Sequence, residues 1–148
     1  MEWLCFLVAE KRLLGFFLGP PCTTFSIMRR PRLRSAFCPY GFDTEDPQTA
    51  TGTALAQRSF QLMKVGDQNA SCGILETPYS SYMKHLPSWG HLRSLDTTSE
   101  TRCDSCRYAS PHLKSFRFFR TPGESATCLF KMCLYQATPA GRRGPDQR

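Results

Sequence analysis

The sequence predicts a mostly irregular, disordered chain with a few isolated elements and no compact globular fold. Two observations lead there. Val8, Ile27, Val65 and Ile74 are the only β-branched aliphatic residues, and Leu, Ile, Val and Phe together make 30 of 148 positions. That is about the one-fifth level below which a charged chain tends to stay unfolded. Val and Ile are also what strands and sheet cores are usually built from. The second observation is interruption: 11 Pro, 10 Gly and 26 Ser or Thr break periodic runs along the chain. Abundant Arg, Ser, Pro, Cys and Trp beside scarce Val, Ile and Lys fits an open reading frame whose composition follows codon degeneracy, not selection for packing.

Residues 1–19 form the most apolar segment and predict a helix over 2–18. Trp3–Ala9 and Leu13–Leu18 flank Glu10-Lys11-Arg12. Placed across a bilayer, the two basic residues alone cost roughly 5–7 kcal/mol against roughly 3–5 gained from Leu, Phe and Val, so the segment should not span. It is a poor secretion signal, with Glu2 at its start and no small-x-small cleavage pattern near Gly19-Pro20-Pro21-Cys22. This tilts the reading toward an intracellular chain. Trp3–Leu18 offers peripheral membrane contact as an alternative use of the segment.

Residues 20–53 read as a linker, basic and then acidic. Arg29-Arg30-Pro31-Arg32-Leu33-Arg34 is the densest charge cluster; Pro31 keeps it extended, and a solvated basic loop is favoured over a nuclear-import or nucleic-acid patch. Ser35, after Arg32 and Arg34, is a candidate phosphorylation site. Asp43-Thr44-Glu45-Asp46-Pro47 is a short acidic patch. Over 54–65 the pattern predicts an amphipathic helix, capped by Thr53 and ended by Gly66. Leu55, Ala56, Phe60, Leu62 and Met63 share one side of it, and Gln57, Arg58, Gln61 and Lys64 the other. Residues 67–112 read as irregular, because Thr77-Pro78, Leu86-Pro87 and Trp89-Gly90 punctuate them. Asn69-Ala70-Ser71 is a candidate glycosylation acceptor.

A β-hairpin is expected over 113–135. Its first arm alternates through Phe116-Arg117-Phe118-Phe119-Arg120, Pro122-Gly123 suits a turn, and Ala126, Cys128, Phe130, Met132 and Leu134 recur at every second position. A helical reading of 126–135 also fits. Residues 136–148 read as a disordered basic tail.

The eight cysteines are scattered and leave the redox compartment open. Cys103 and Cys106 have the two-residue spacing of a zinc pair, with Cys128, Cys133 and His112 as candidates to complete it. Cys128 and Cys133 are five positions apart, which sets their side chains apart in either a strand or a helix and argues against a site. Zinc is therefore a low-ranked cofactor, and Cys103–Arg120 a low-ranked zinc- or nucleic-acid-binding module. No glycine-rich phosphate loop or nucleophile motif is present, so no enzyme is expected. A net charge of +7 suits an anionic partner. No biochemical activity is identified; the alternatives are a membrane-associated or secreted protein using the N-terminus, or the weak binding module.

Overall fold

A computed structural model of the chain describes residues 2–104 and 115–121. Among these, helix α1 (Glu2–Ala9), strand β1 (Phe16–Leu18), helix α2 (Pro47–Gln68), strand β2 (Gly73–Pro78), helix α3 (Pro87–Arg93) and strands β3 (Ser99–Asp104) and β4 (Ser115–Arg120) follow in order. The strands form one mixed sheet in the order β1-β2-β4-β3. β1 runs parallel to β2, and β4 pairs antiparallel with both β2 and β3.

The expectation of a mostly irregular chain is overturned. β-branched aliphatics are not what makes the interior dry here. Instead Phe25, Ala56, Phe60, Met63, Leu75, Met83, Leu86, Trp89, Leu92 and Phe119 form a single buried cluster. Leu, Met and aromatic side chains fill the volume, and the unbranched ones adapt to irregular gaps. Trp89 is the hub, edge-on to Phe119 at 4.6 Å and to Phe60 at 6.1 Å between ring centroids. It joins α3, α2 and the sheet.

The N-terminal helix ends at Ala9 and not near 18. Lys11 turns into the left-handed region (φ 52°), and Phe16–Leu18 become an edge strand on β2. The gain that reverses the chain is at Phe16. A Cβ on Gly66 would stand 2.8 Å from the Phe16 ring, and one on Gly73 would also collide with that ring. Two glycines thus make the notch that receives Phe16. Gly66, expected to end the helix over 54–65, is a buried interior residue of α2.

That helix begins at Pro47, seven residues earlier than expected. Asp46, read as part of an acidic linker, is its N-cap and accepts from the Thr49 amide at 2.8 Å. Pro47 occupies the first turn, where its missing N–H costs nothing. Ala56, Phe60, Leu62 and Met63 are buried, while Gln57, Arg58, Gln61 and Lys64 are exposed. The segment expected to be irregular, 67–112, carries β2, α3, β3 and a 3-10 turn at Tyr82–His85. Leu86-Pro87 is a helix start, not a break. Gly90 sits inside α3 with nothing within 4 Å of its would-be Cβ, so no close approach requires glycine there. The first arm of the expected hairpin is β4, but its described partners are β2 and β3; the second arm and the tail lie outside the described residues.

The basic cluster in the linker holds the deepest polar contact. Arg34 is fully buried. Its guanidinium donates to the carbonyls of Pro39 (2.9 Å) and Thr49 (2.7 Å), to the Thr53 hydroxyl (2.9 Å) and to the Thr24 hydroxyl (3.4 Å). It also lies 3.9 Å from the centroid of the buried Phe25 ring. Burial depresses its pKa, and Asp46 opposes that shift. These contacts clamp residues 24–41 onto the first two turns of α2.

Replacing Arg34 by Met should destabilise the fold by about 3 kcal/mol or more, since several buried acceptors lose a charged donor at once. Lys should rescue little of this, because one ammonium cannot reach acceptors on both sides of a planar fork. Urea unfolding of both variants measures the loss. Acid titration tests the cap. The Thr49 hydroxyl and amide hold the Asp46 carboxyl below its ordinary value. Its contribution is therefore full above about pH 3.8 and is lost as pH falls through the lower folded value. Asp46→Asn keeps a capping oxygen and should remove this part of the acid dependence of the unfolding midpoint.

Candidate functional site

Two surfaces stand out from the described residues, and both precede α2. The first is built by α1 and β1. Val8 is buried, and its carbonyl accepts from the Ser71 hydroxyl at 3.1 Å, which ties α1 to the segment after α2. That anchoring turns most of the helix outward. Trp3 (69%), Leu4 (41%), Phe6 (56%), Leu14 (90%) and Phe17 (62%) remain exposed. Glu2, Glu10, Lys11 and Arg12 are exposed beside them. An exposed apolar patch of this kind marks an interaction surface more often than an accident of folding.

The second surface is the loop ahead of α2. The Ser35 hydroxyl accepts from the Cys38 amide at 3.0 Å, and Ser35 N–H donates to the Cys38 carbonyl at 3.2 Å, closing a tight turn. Phe42 N–H donates to the Leu33 carbonyl at 2.9 Å. Phe37, within the turn, is fully exposed, as are Met28 and Phe42 for the most part. Beside it lies an open groove of about 270 Å³ lined by Tyr40, Thr44, Ala50, Thr53, Ala54 and Gln57.

The residues singled out from the sequence are dispersed. Cys103 lies on β3 opposite Phe116, whereas Cys106, His112, Cys128 and Cys133 lie outside the described residues. No group of three or more metal-binding side chains occurs among the described residues. Asn69 caps the end of α2, its side-chain amide donating to the Val65 carbonyl at 2.8 Å, and Ser71 is buried. Ser35 is committed to the turn just described. In the aromatic–basic run, Arg117 and Phe119 face the helices and are buried. Arg117 pairs with Glu100 at 2.6 Å and lies over the rings of Tyr79 and Trp89 at 4.5 and 5.3 Å, so neither residue is presented for stacking on bases. Arg93 also reaches Glu100, and Arg102 pairs with Asp104, both at 3.2 Å.

Sequence reasoning identified the N-terminal apolar segment but missed the loop. The signal available was Phe37, Tyr40 and Phe42 within eight residues of a basic run, which turn-forming neighbours disguised as linker. No family model, curated protein or solved structure matches the chain. No helix among the described residues is long and apolar enough to cross a membrane.

The two tryptophans sample opposite environments, Trp3 largely exposed and Trp89 buried. Iodide should quench one component of the emission and spare the other. Trp3→Phe should abolish the quenchable component without shifting the unfolding midpoint, a result that stationary fluorescence and a thermal melt together will check.

Proposed function

We propose that the protein associates peripherally with anionic membrane surfaces through α1 and β1. The observation that carries this reading is the exposure of Trp3, Leu4, Phe6, Leu14 and Phe17 within one short, helix-anchored segment. Tryptophan supports a bilayer over other apolar partners, because its ring is apolar and its N–H still finds a polar partner at the headgroup level. Moving two or three such side chains from water into the acyl boundary contributes about 4–8 kcal/mol, equivalent to millimolar to micromolar retention. Locally, Glu2 and Glu10 balance Lys11 and Arg12. Attraction to an anionic leaflet therefore comes from the +7 charge of the whole chain and acts at long range. Apolar insertion then supplies the short-range hold.

Co-sedimentation with phosphatidylcholine vesicles, with and without phosphatidylserine, tests the reading. The chain should pellet with the anionic vesicles, release as salt rises, and show Trp3 emission moving to the blue. Trp3→Ser with Phe6→Ser should weaken retention by about tenfold or more, since the two removed apolar contacts together are worth at least a decade in affinity. Retention that is absent, or indifferent to this pair, would overturn the proposal.

A further inference from the structure

Resting on the lipid-surface reading, we infer that the loop over residues 28–42 is a second bilayer contact, which makes the attachment two-pointed. Met28 (78%), Phe37 (101%) and Phe42 (62%) project from a segment that is otherwise held fast. Arg34 pins its middle with four hydrogen bonds to α2 and its neighbours, and the Ser35–Cys38 turn sets the position of Phe37. A loop fixed in this way loses little conformational freedom when its aromatic side chains enter an apolar layer. A mobile loop would lose far more.

Charge favours an anionic bilayer as the occupant. Arg30 and Arg32 are exposed next to the apolar side chains, on stems long enough to reach headgroup phosphates while Met28 and Phe37 insert. Two carboxylates, Asp43 and Glu45, are exposed after Phe42, and Asp43 is turned back to accept from the Glu45 amide at 2.9 Å. Over residues 28–46 the four arginines exceed Asp43, Glu45 and Asp46 by one, so the loop keeps a small positive balance beside the charge of the whole chain.

The two surfaces belong to opposite ends of one rigid element. The loop packs on Thr49 and Thr53 near the start of α2, whereas Phe16 packs on Gly66 near its end. At 1.5 Å per residue of helix, these contact points on α2 lie roughly 20–25 Å apart. Where both ends face the same bilayer plane, seating one makes the contact of the other intramolecular, and each strengthens the other without any new atom-to-atom interaction.

The experiment uses the full chain and vesicles of phosphatidylcholine with phosphatidylserine. Phe37→Trp in a Trp3→Phe background places the exposed fluorophore at the loop. Its emission should shift to the blue with vesicles and be quenched by brominated phosphatidylcholine. Phe37→Ser with Phe42→Ser should weaken retention by about tenfold with an unchanged melt, because both side chains are already in water. If the parent chain binds and Trp3 responds, but the position-37 emission stays put and the serine pair binds like the parent, the loop inference is overturned and the N-terminal contact stands. If the parent chain binds neither vesicle, both fall.

Discussion

A buried guanidinium is the constraint on which the arrangement of this protein depends. Arg34 carries its charge into a fully buried site, where an unpaired cation would be prohibitive. It is tolerated because Pro39, Thr49, Thr53 and Thr24 converge on it and Phe25 offers a ring face. Those partners come from three separate stretches, so satisfying one side chain fixes the course of the chain from 24 to 53. Gly52 is part of the same constraint. A Cβ there would crowd both Thr24 and the Arg34 guanidinium.

The apolar interior is arranged by a complementary rule. Trp89 projects from a short helix into the space between Phe60 and Phe119, and its two edge-on contacts orient α2 against the sheet. At the other end, the Phe16 ring fills the notch of Gly66 and Gly73, which locks β1 to both α2 and β2. Thr121 closes the same corner of the sheet by donating to the Ser71 carbonyl at 2.6 Å and accepting from the Gly73 amide at 2.7 Å. Large aromatic side chains and glycine gaps do here what branched aliphatics do in most sheets.

This explains which parts of the fold were legible in the sequence. The polar and apolar sides of α2 could be read from its helical wheel, because that pattern is local. Its true start could not, since Asp46-Pro47 after an acidic run looks the same in a linker as in a cap followed by a first-turn proline. Arg34 was indistinguishable from Arg29, Arg30 and Arg32; its burial is decided by hydroxyls and carbonyls from elsewhere in the chain. Phe16 favours a helix by its neighbours and a strand by its notch, and the notch wins. The strands β2 and β3 were hidden for the same reason. Gly73–Pro78 contains one β-branched aliphatic, and its pairing energy comes from β4 and β1, not from its own composition.

The distribution of apolar side chains carries the functional argument furthest. Ten large apolar residues are exposed among the described residues, and all but Tyr79 lie between positions 3 and 42. The main buried cluster draws instead on positions 56 to 119, with Phe25 the single exception. Burying Trp3, Phe6, Phe37 and Phe42 would take further apolar surface out of water, yet the anchors at Val8 and Arg34 hold their segments in place with those rings outside. Apolar side chains divided along the chain in this way fit a fold in which one half supplies the scaffold and the other presents a surface. The rigidity of the Arg34 cage is then part of the same design: a presented ring is effective only to the extent that its backbone does not have to be ordered on contact.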